Sequence, residues 1–271
     1  MRDAFDVIPP GAQVAVIGTP TTEQMEMLDE SSIDPQERTG YIADVHNQHE
    51  LFDYGLEIIF GRFGCSKVVV VGDLVDRSID VQGGLRVLQT IHDLGDRAIL
   101  LGGNHDRDNA IQVYNYQDWI GYKKKHKLPD SGLARELQKD KNAHLAEMIK
   151  DLPLYHEDDQ VFAVHGGLRN RSVEETKREL DKVSAGEKGY RVAPILLIEG
   201  GNDQDDWAGD SDKIIVSGHM HMQKQTADMA RGFVQRIRLG SLSGMLRIFT
   251  VKGTQYTFSA IEEKGGKILT L

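Results

Sequence analysis

The chain of 271 residues is 39% hydrophobic and 27% charged, with a formal net charge of −10. That is enough apolar material for one sizeable core, and the acidic balance, without a long Lys/Arg-rich stretch, excludes nucleic acid as a bulk partner. Cys65 is the only cysteine, which rules out an internal disulfide or a Cys-rich zinc site, and no apolar run is long enough to span a bilayer, so a cytoplasmic protein with no membrane partner is expected.

In chain order, the stretch "QVAVIG" (13–18) predicts a strand, and the polar, acidic 19–40 a helix and an irregular crossing. "YIADVH" (41–46) predicts a second strand. Phe52, Leu56, Ile59, Phe60 and Phe63 then recur at helical spacing. "KVVVVGD" (67–73) is apolar between charged ends, as a strand covered on both faces would be. A helix over 80–95, despite its internal glycines, leads to a strand and its end in "RAILLGGNHD" (97–106). The alternation is βαβαβ, with the polar strand ends separated by roughly the length of one βαβ unit.

Residues 107–150 predict a helical insertion that carries aromatics (Tyr114, Tyr116, Trp119, Tyr122) and a lysine patch (123–127). Helix packing and a solvated face are the simpler readings of these. Further strands follow in "QVFAVHGG" (160–167) and "KIIVSGHMH" (213–221), and the remaining chain alternates as β-rich structure without helices. No linker divides it, so residues 1–271 read as one domain.

The strand ends hold the chemistry. They finish in Asp44 and His46; in Asp73 with Asp76 and Arg77; in Asn104, His105 and Asp106; in His165; and in His219 and His221. Ligands of an open α/β sheet bind beyond the carboxyl ends of its strands, so these groups are expected to converge in one crevice. Asp44 and His46, two apart in an extended segment, would share a face and hold one ion. Carboxylate oxygens mixed with imidazoles suit Mn, Fe or Zn, and a bridging carboxylate such as Asp73 could hold a second ion in a two-metal hydrolytic site.

The ordered series Asp-x-His, "GDLVDR", "GNHD", "HGGL", "GHMH" resembles the calcineurin-like metallophosphoesterases, and most of all their phosphoprotein phosphatase branch. The resemblance implies an α/β fold, a four-layer α/β/β/α sandwich of two mixed sheets. It implies an enzyme, a binuclear metal-dependent phosphoesterase that attacks with a hydroxide bridging two divalent or trivalent ions, Mn first, with Fe or Zn as alternatives. Asp44, His46 and Asp73 would hold the first ion, completed by His221, and Asp73, Asn104, His165 and His219 the second. His105 would be the general acid oriented by Asp76, and Arg77 would hold the phosphate.

Departures from that branch fall at Ala43 and Asn47, where it usually has glycines, and at Ser78. They bear on the substrate and leave the reaction type standing. The expected substrate is a phosphomonoester, either phosphoserine or phosphothreonine in a protein or a small phosphorylated metabolite. Symmetrical dinucleoside-tetraphosphate hydrolysis and cyclic phosphodiester cleavage are alternatives, and a non-catalytic metal-bearing phosphoprotein-binding module is the rival of another class.

Overall fold

The computed structural model describes residues 38–76, 80–126, 130–168, 171–185, 212–219, 227–230, 233–239, 245–252, 255–264 and 267–270. The strand expected at 13–18 and all but the last three residues of the helix and crossing expected at 19–40 lie outside the described residues, as do Arg77, Ser78 and His221.

Strand β1 (Thr39–Ile42) starts two residues earlier than expected and ends before Asp44. Helix α1 (His49–Glu57) continues through a wider π turn to Arg62 and buries Phe52, Leu56 and Ile59. Then come β2 (Lys67–Val71), α2 (Val81–Leu94) and β3 (Ala98–Leu101). The Asp80 carboxylate starts α2 by accepting the Gly83 N–H at 2.8 Å, which satisfies one of the orphan donors of the first turn. Four helices form the region expected to be helical: α3 (Asn104–Tyr114), α4 (Tyr116–His126), α5 (Gly132–Leu137) and α6 (Ala143–Met148). Trp119 is buried there and donates to Asp130 at 2.8 Å, as does Lys123, so part of the aromatic and lysine run is structural.

The second half adds β4 (Tyr155–Glu157), a short strand the sequence did not announce, then β5 (Val161–Val164), α7 (Val173–Ser184) and β6 (Ile214–Ser217). Strands β7 (Ala227–Ala230), β8 (Phe233–Arg238), β9 (Met245–Lys252), β10 (Gln255–Lys264) and β11 (Lys267–Thr270) complete it.

These strands form two mixed sheets, ordered β11-β10-β9-β1-β2-β3 and β4-β5-β6-β8-β7. In the first, β1, β2 and β3 run parallel, and β9 pairs antiparallel with β1. In the second, β5, β6 and β8 run parallel.

Side-chain alternation sorts the layers. Val68 and Val70 pack with Leu51, Phe52, Val87 and Leu88 of the helices, whereas Val69 and Val71 pack with Val161, Ala163 and Val216 of the other sheet. A third cluster joins Phe162, Val164 and Ile215 to Leu180 and Val183 of α7. The result is the expected α/β/β/α sandwich. It also explains the all-valine run, because a strand between two apolar layers has no polar face.

Candidate metal centre

The loops that leave the parallel strands are laced to one another through the backbone. The N–H groups of Asp44, His46 and Asn47 donate to the carbonyls of Gly72, Asp73 and Leu74 at 3.1, 3.1 and 3.3 Å, so the exit of β1 tracks the exit of β2. Gly218 donates to the His165 carbonyl at 3.0 Å, and His219 donates its N–H to Asp44 Oδ2 at 2.8 Å. Asp73 Oδ1 accepts the N–H of His105 at 3.0 Å at the start of α3. All five expected strand ends therefore meet.

Their convergence does not come from strand alternation. Asp44, His46 and Asn47 lie at φ of 54°, 47° and 65°, Asp73 and Asp76 at 51° and 76°, and His219 at 65°. Among the described residues these are the positive-φ positions that are not glycine, and all of them lie in the candidate site or its loops. The reading of Asp44 and His46 as neighbours on one face of an extended strand is thus corrected: β1 has already ended, and left-handed turns aim both side chains inward. Left-handed backbone costs L-residues about 1–2 kcal/mol each, less for Asn, Asp and His. Burial of Val68 to Val71, at about 1.5–3 kcal/mol per side chain, is large enough to hold such strain at the strand ends.

Gly72 has φ 75°, and a Cβ there would lie 2.5 Å from His165 Nδ1. Its absence lets the His165 ring stack on the turn, where Nδ1 donates to the Val71 carbonyl at 2.9 Å. That bond makes Nδ1 the donor and aims Nε2 at Asp73 Oδ2 and Asn104 Oδ1, both at 3.3 Å. Asn104 Oδ1 also lies 3.0 Å from His219 Nδ1.

Two groups of ligand atoms result, Asp44/His46/Asp73 and Asp73/His165/His219, each with its atoms within 4.8 Å of one another and with Asp73 common to both. Asp44, Asp73 and His165 are fully buried. Asp73 Oδ2 and both ring nitrogens of His46 are buried without a hydrogen-bond partner. Converging acceptors that are buried and unsatisfied are costly unless a cation sits among them, so the donor set fits two metal ions. Burial alone would raise the Asp73 carboxyl, but the facing imidazoles of His165, His105 and His46 overcome this and hold it ionised, well below the usual range. Burial would likewise lower His165, and the carboxylates of Asp73 and Asp44 push it up instead. Both shifts express a field that favours positive charge at one place.

His105 stands at the open side. Its Nε2 lies 4.0 Å from Asp73 Oδ2, its Nδ1 lies 3.7 Å from Asp76 Oδ2, and its ring meets that of His46 edge-on at 5.3 Å. Its side chain is 19% exposed and that of Asp76 34%, so the site opens toward this pair.

Asp106 and Asn47 are residues to which the sequence reading gave no structural role. Asp106 is buried and accepts the N–H of Val75 and of Gly103, both at 3.1 Å, which ties the β2 loop to the start of α3. Burial and the nearby Asp73 charge raise its carboxyl to about 6. The only sequence signal was its place at the end of "GNHD". A separate cleft of about 700 Å³ is lined by Arg107, Ile111, Tyr114, Lys150 and Leu152, and by none of the candidate ligands. Among the described residues no helix is long and apolar enough to cross a membrane.

Residues 38–242 match the family model for calcineurin-like phosphoesterases. No curated protein matches the sequence. Among solved structures, a candidate diadenosine tetraphosphatase is 18% identical with a TM-score of 0.54, over 86% of this chain and 97% of its own. A protein serine/threonine phosphatase from Saccharomyces cerevisiae, with similarity to human phosphatase PP5, is 16% identical with a TM-score of 0.50, over 85% of this chain and 81% of its own. A hypothetical protein from Pyrococcus horikoshii OT3 is 14% identical at 0.50, over 84% and 89%. At these identities the likeness is one of fold.

Proposed function

Because the chain belongs to the calcineurin-like phosphoesterase family, and is thereby a metal-dependent phosphoester hydrolase, we propose that it cleaves phosphomonoesters, of phosphoserine or phosphothreonine or of a small metabolite, at the centre shared by Asp73. The observation that carries this reading is the placement of His105 beside two overlapping ligand groups, with a carboxylate behind it.

Asp44, His46 and Asp73 would hold one ion, and Asp73, Asn104, His165 and His219 the other; His221 and Arg77 keep their proposed roles as first-ion ligand and phosphate clamp. Bound ions supply Lewis acidity and a lowered pKa for water, and Mn is the ion proposed. The side chains do the rest. The buried carboxylates confine the phosphoryl group to the open side, where His105 waits. Hydrolysis forms one P–O bond to the oxygen of water and breaks the ester P–O bond; the departing alkoxide takes a proton from His105 Nε2, and the proton given up by the attacking water restores the acid form of the ring. With Asp76 Oδ2 facing Nδ1, the ring keeps its Nδ1–H toward that carboxylate and presents Nε2 to the leaving oxygen.

Turnover of p-nitrophenyl phosphate with added Mn²⁺ tests the reading. A parallel screen of phosphopeptide, mononucleotide, dinucleoside tetraphosphate and cyclic phosphate distinguishes the substrate. Silence on phosphomonoesters together with cleavage of an anhydride or a diester would overturn the proposed class. Silence on every substrate with Mn, Fe and Zn in a folded sample would favour a binding module.

A further inference from the structure

Asn47 lies between the metal loop and helix α2, at φ 65° and only 2% exposed. Glycine would serve that backbone conformation without strain, so the presence of a buried amide calls for a reason in its side chain. The reason is on the far side of the turn: Asn47 Oδ1 accepts the N–H of Asp76 at 2.8 Å. Since a backbone N–H can only donate, the oxygen of the amide must face it. Asp76 is itself at φ 76°, in a stretch that leaves β2 without regular pairing, and its carboxylate faces His105 Nδ1. Asn47 is in turn seated against the glycine pair of α2. A Cβ on Gly84 would lie 2.6 Å from Asn47 Oδ1 and 2.9 Å from its Cγ, and one on Gly83 would strike the Asn47 carbonyl. The two internal glycines of a helix whose propensity they lower therefore form the floor on which the amide rests.

We propose that Asn47 is a positioning residue for the acid step. It holds the Asp76 backbone in its left-handed turn so that the Asp76 carboxylate stays behind His105, and Gly84 is the clearance that lets it do so. The proposal rests on the phosphomonoester-hydrolase reading above and adds to it a residue that touches neither ion nor substrate. A group acting through the general acid matters in proportion to how much protonation the leaving group needs. p-Nitrophenolate departs as a stable anion, whereas phenolate relies far more on the acid.

The experiment compares kcat for p-nitrophenyl phosphate and phenyl phosphate in the Mn²⁺-loaded protein, together with metal content by plasma mass spectrometry. Asn47→Gly keeps the backbone conformation and removes the acceptor. It is expected to lower kcat for phenyl phosphate about 10–100-fold, the usual effect of losing an outer supporting bond, and for p-nitrophenyl phosphate by less than about 3-fold, with metal content unchanged. Gly84→Ala, which displaces the amide from the other side, is expected to give the same substrate-selective loss, and to add none in the Asn47→Gly protein. Equal losses on both substrates, additive losses in the double variant, or full activity of Asn47→Gly would each overturn the proposal. Should Gly84→Ala fail to fold, Asn47→Gly alone decides. Silence of the unaltered protein on both substrates would take down the phosphomonoester reading itself, and the proposal with it.

Discussion

Gly72→Ala tests how the site is built more directly than removal of a ligand would. The new Cβ would meet His165 Nδ1 at 2.5 Å, His165 Cγ at 2.7 Å and the Gly103 backbone at 2.8 Å, at a residue whose φ is 75°. Left-handed backbone with a Cβ costs about 1–2 kcal/mol. Overpacking against a rigid neighbour adds about 1–3 kcal/mol. Displacing the His165 ring from the Val71 carbonyl leaves a buried donor unpaired, at about 1–3 kcal/mol. The expected loss is therefore about 3–8 kcal/mol, and at about 2 °C per kcal/mol for a chain of this length the melting point should fall by roughly 6–16 °C. Because His165 and Asp73 flank the substitution, the ion that Asp73, His165 and His219 would hold should be lost before the other. Thermal melts with and without Mn²⁺, alongside metal counting, provide the assay. An unchanged melting point with both ions retained would refute the claim that a missing Cβ seats His165.

Other outcomes follow from the same geometry. His105→Asn should lower turnover about 10²–10⁴-fold with metal content kept, since its proposed role is toward the leaving oxygen rather than the ions; metal loss in that variant would reassign it as a ligand. Asp73→Asn should deplete metal, because it removes the charge common to both ligand groups, and full two-ion occupancy by plasma mass spectrometry would contradict this. Half-burial would raise the Asp158 carboxyl, but His156, the amides of Gln160 and Val161 and the Tyr41 hydroxyl hold it at about 2. A carboxyl depressed on folding stabilises above its unfolded value and loses that contribution as pH falls from about 4 toward 2. With the Asp158 side chain 38% exposed and screened, Asp158→Asn should cost about 1 kcal/mol near neutral pH, and the gap between variant and parent should close on acidification in chelator-treated samples. A gap that widens in acid would reverse the sign of this coupling.

What could be read in advance was set by period and by punctuation. The valine run and the polar strand ends announce β2 and its neighbours, because burial on both faces leaves no other composition and ligands must stand where strands stop. Leu74 and Val75, the apolar pair inside "GDLVDR", are both fully buried. The assignment of strands to sheets was not legible, since it depends on long-range pairing such as β1 with β9. Nor was β4, whose three half-buried residues carry no alternation to detect. The left-handed loops were missed because Asp and His tolerate positive φ without advertising it as glycine does. Asn47 left a faint trace, an amide where similar chains place glycine, and Asp106 left none beyond its motif, because its partners are backbone amides of another loop.

Strand β2 is a party wall: its odd and even valines belong to different cores, and the loop at its end carries Asp73, the carboxylate common to both candidate ligand groups. A wall shared by two rooms cannot be loosened from one side alone. The amides of Val69 to Val71 should therefore exchange with solvent only when the whole sandwich opens, whereas the loops beyond the strand can breathe at the open side without it. Hydrogen exchange along the valine run thus times the collapse of the whole building, not the opening of one door.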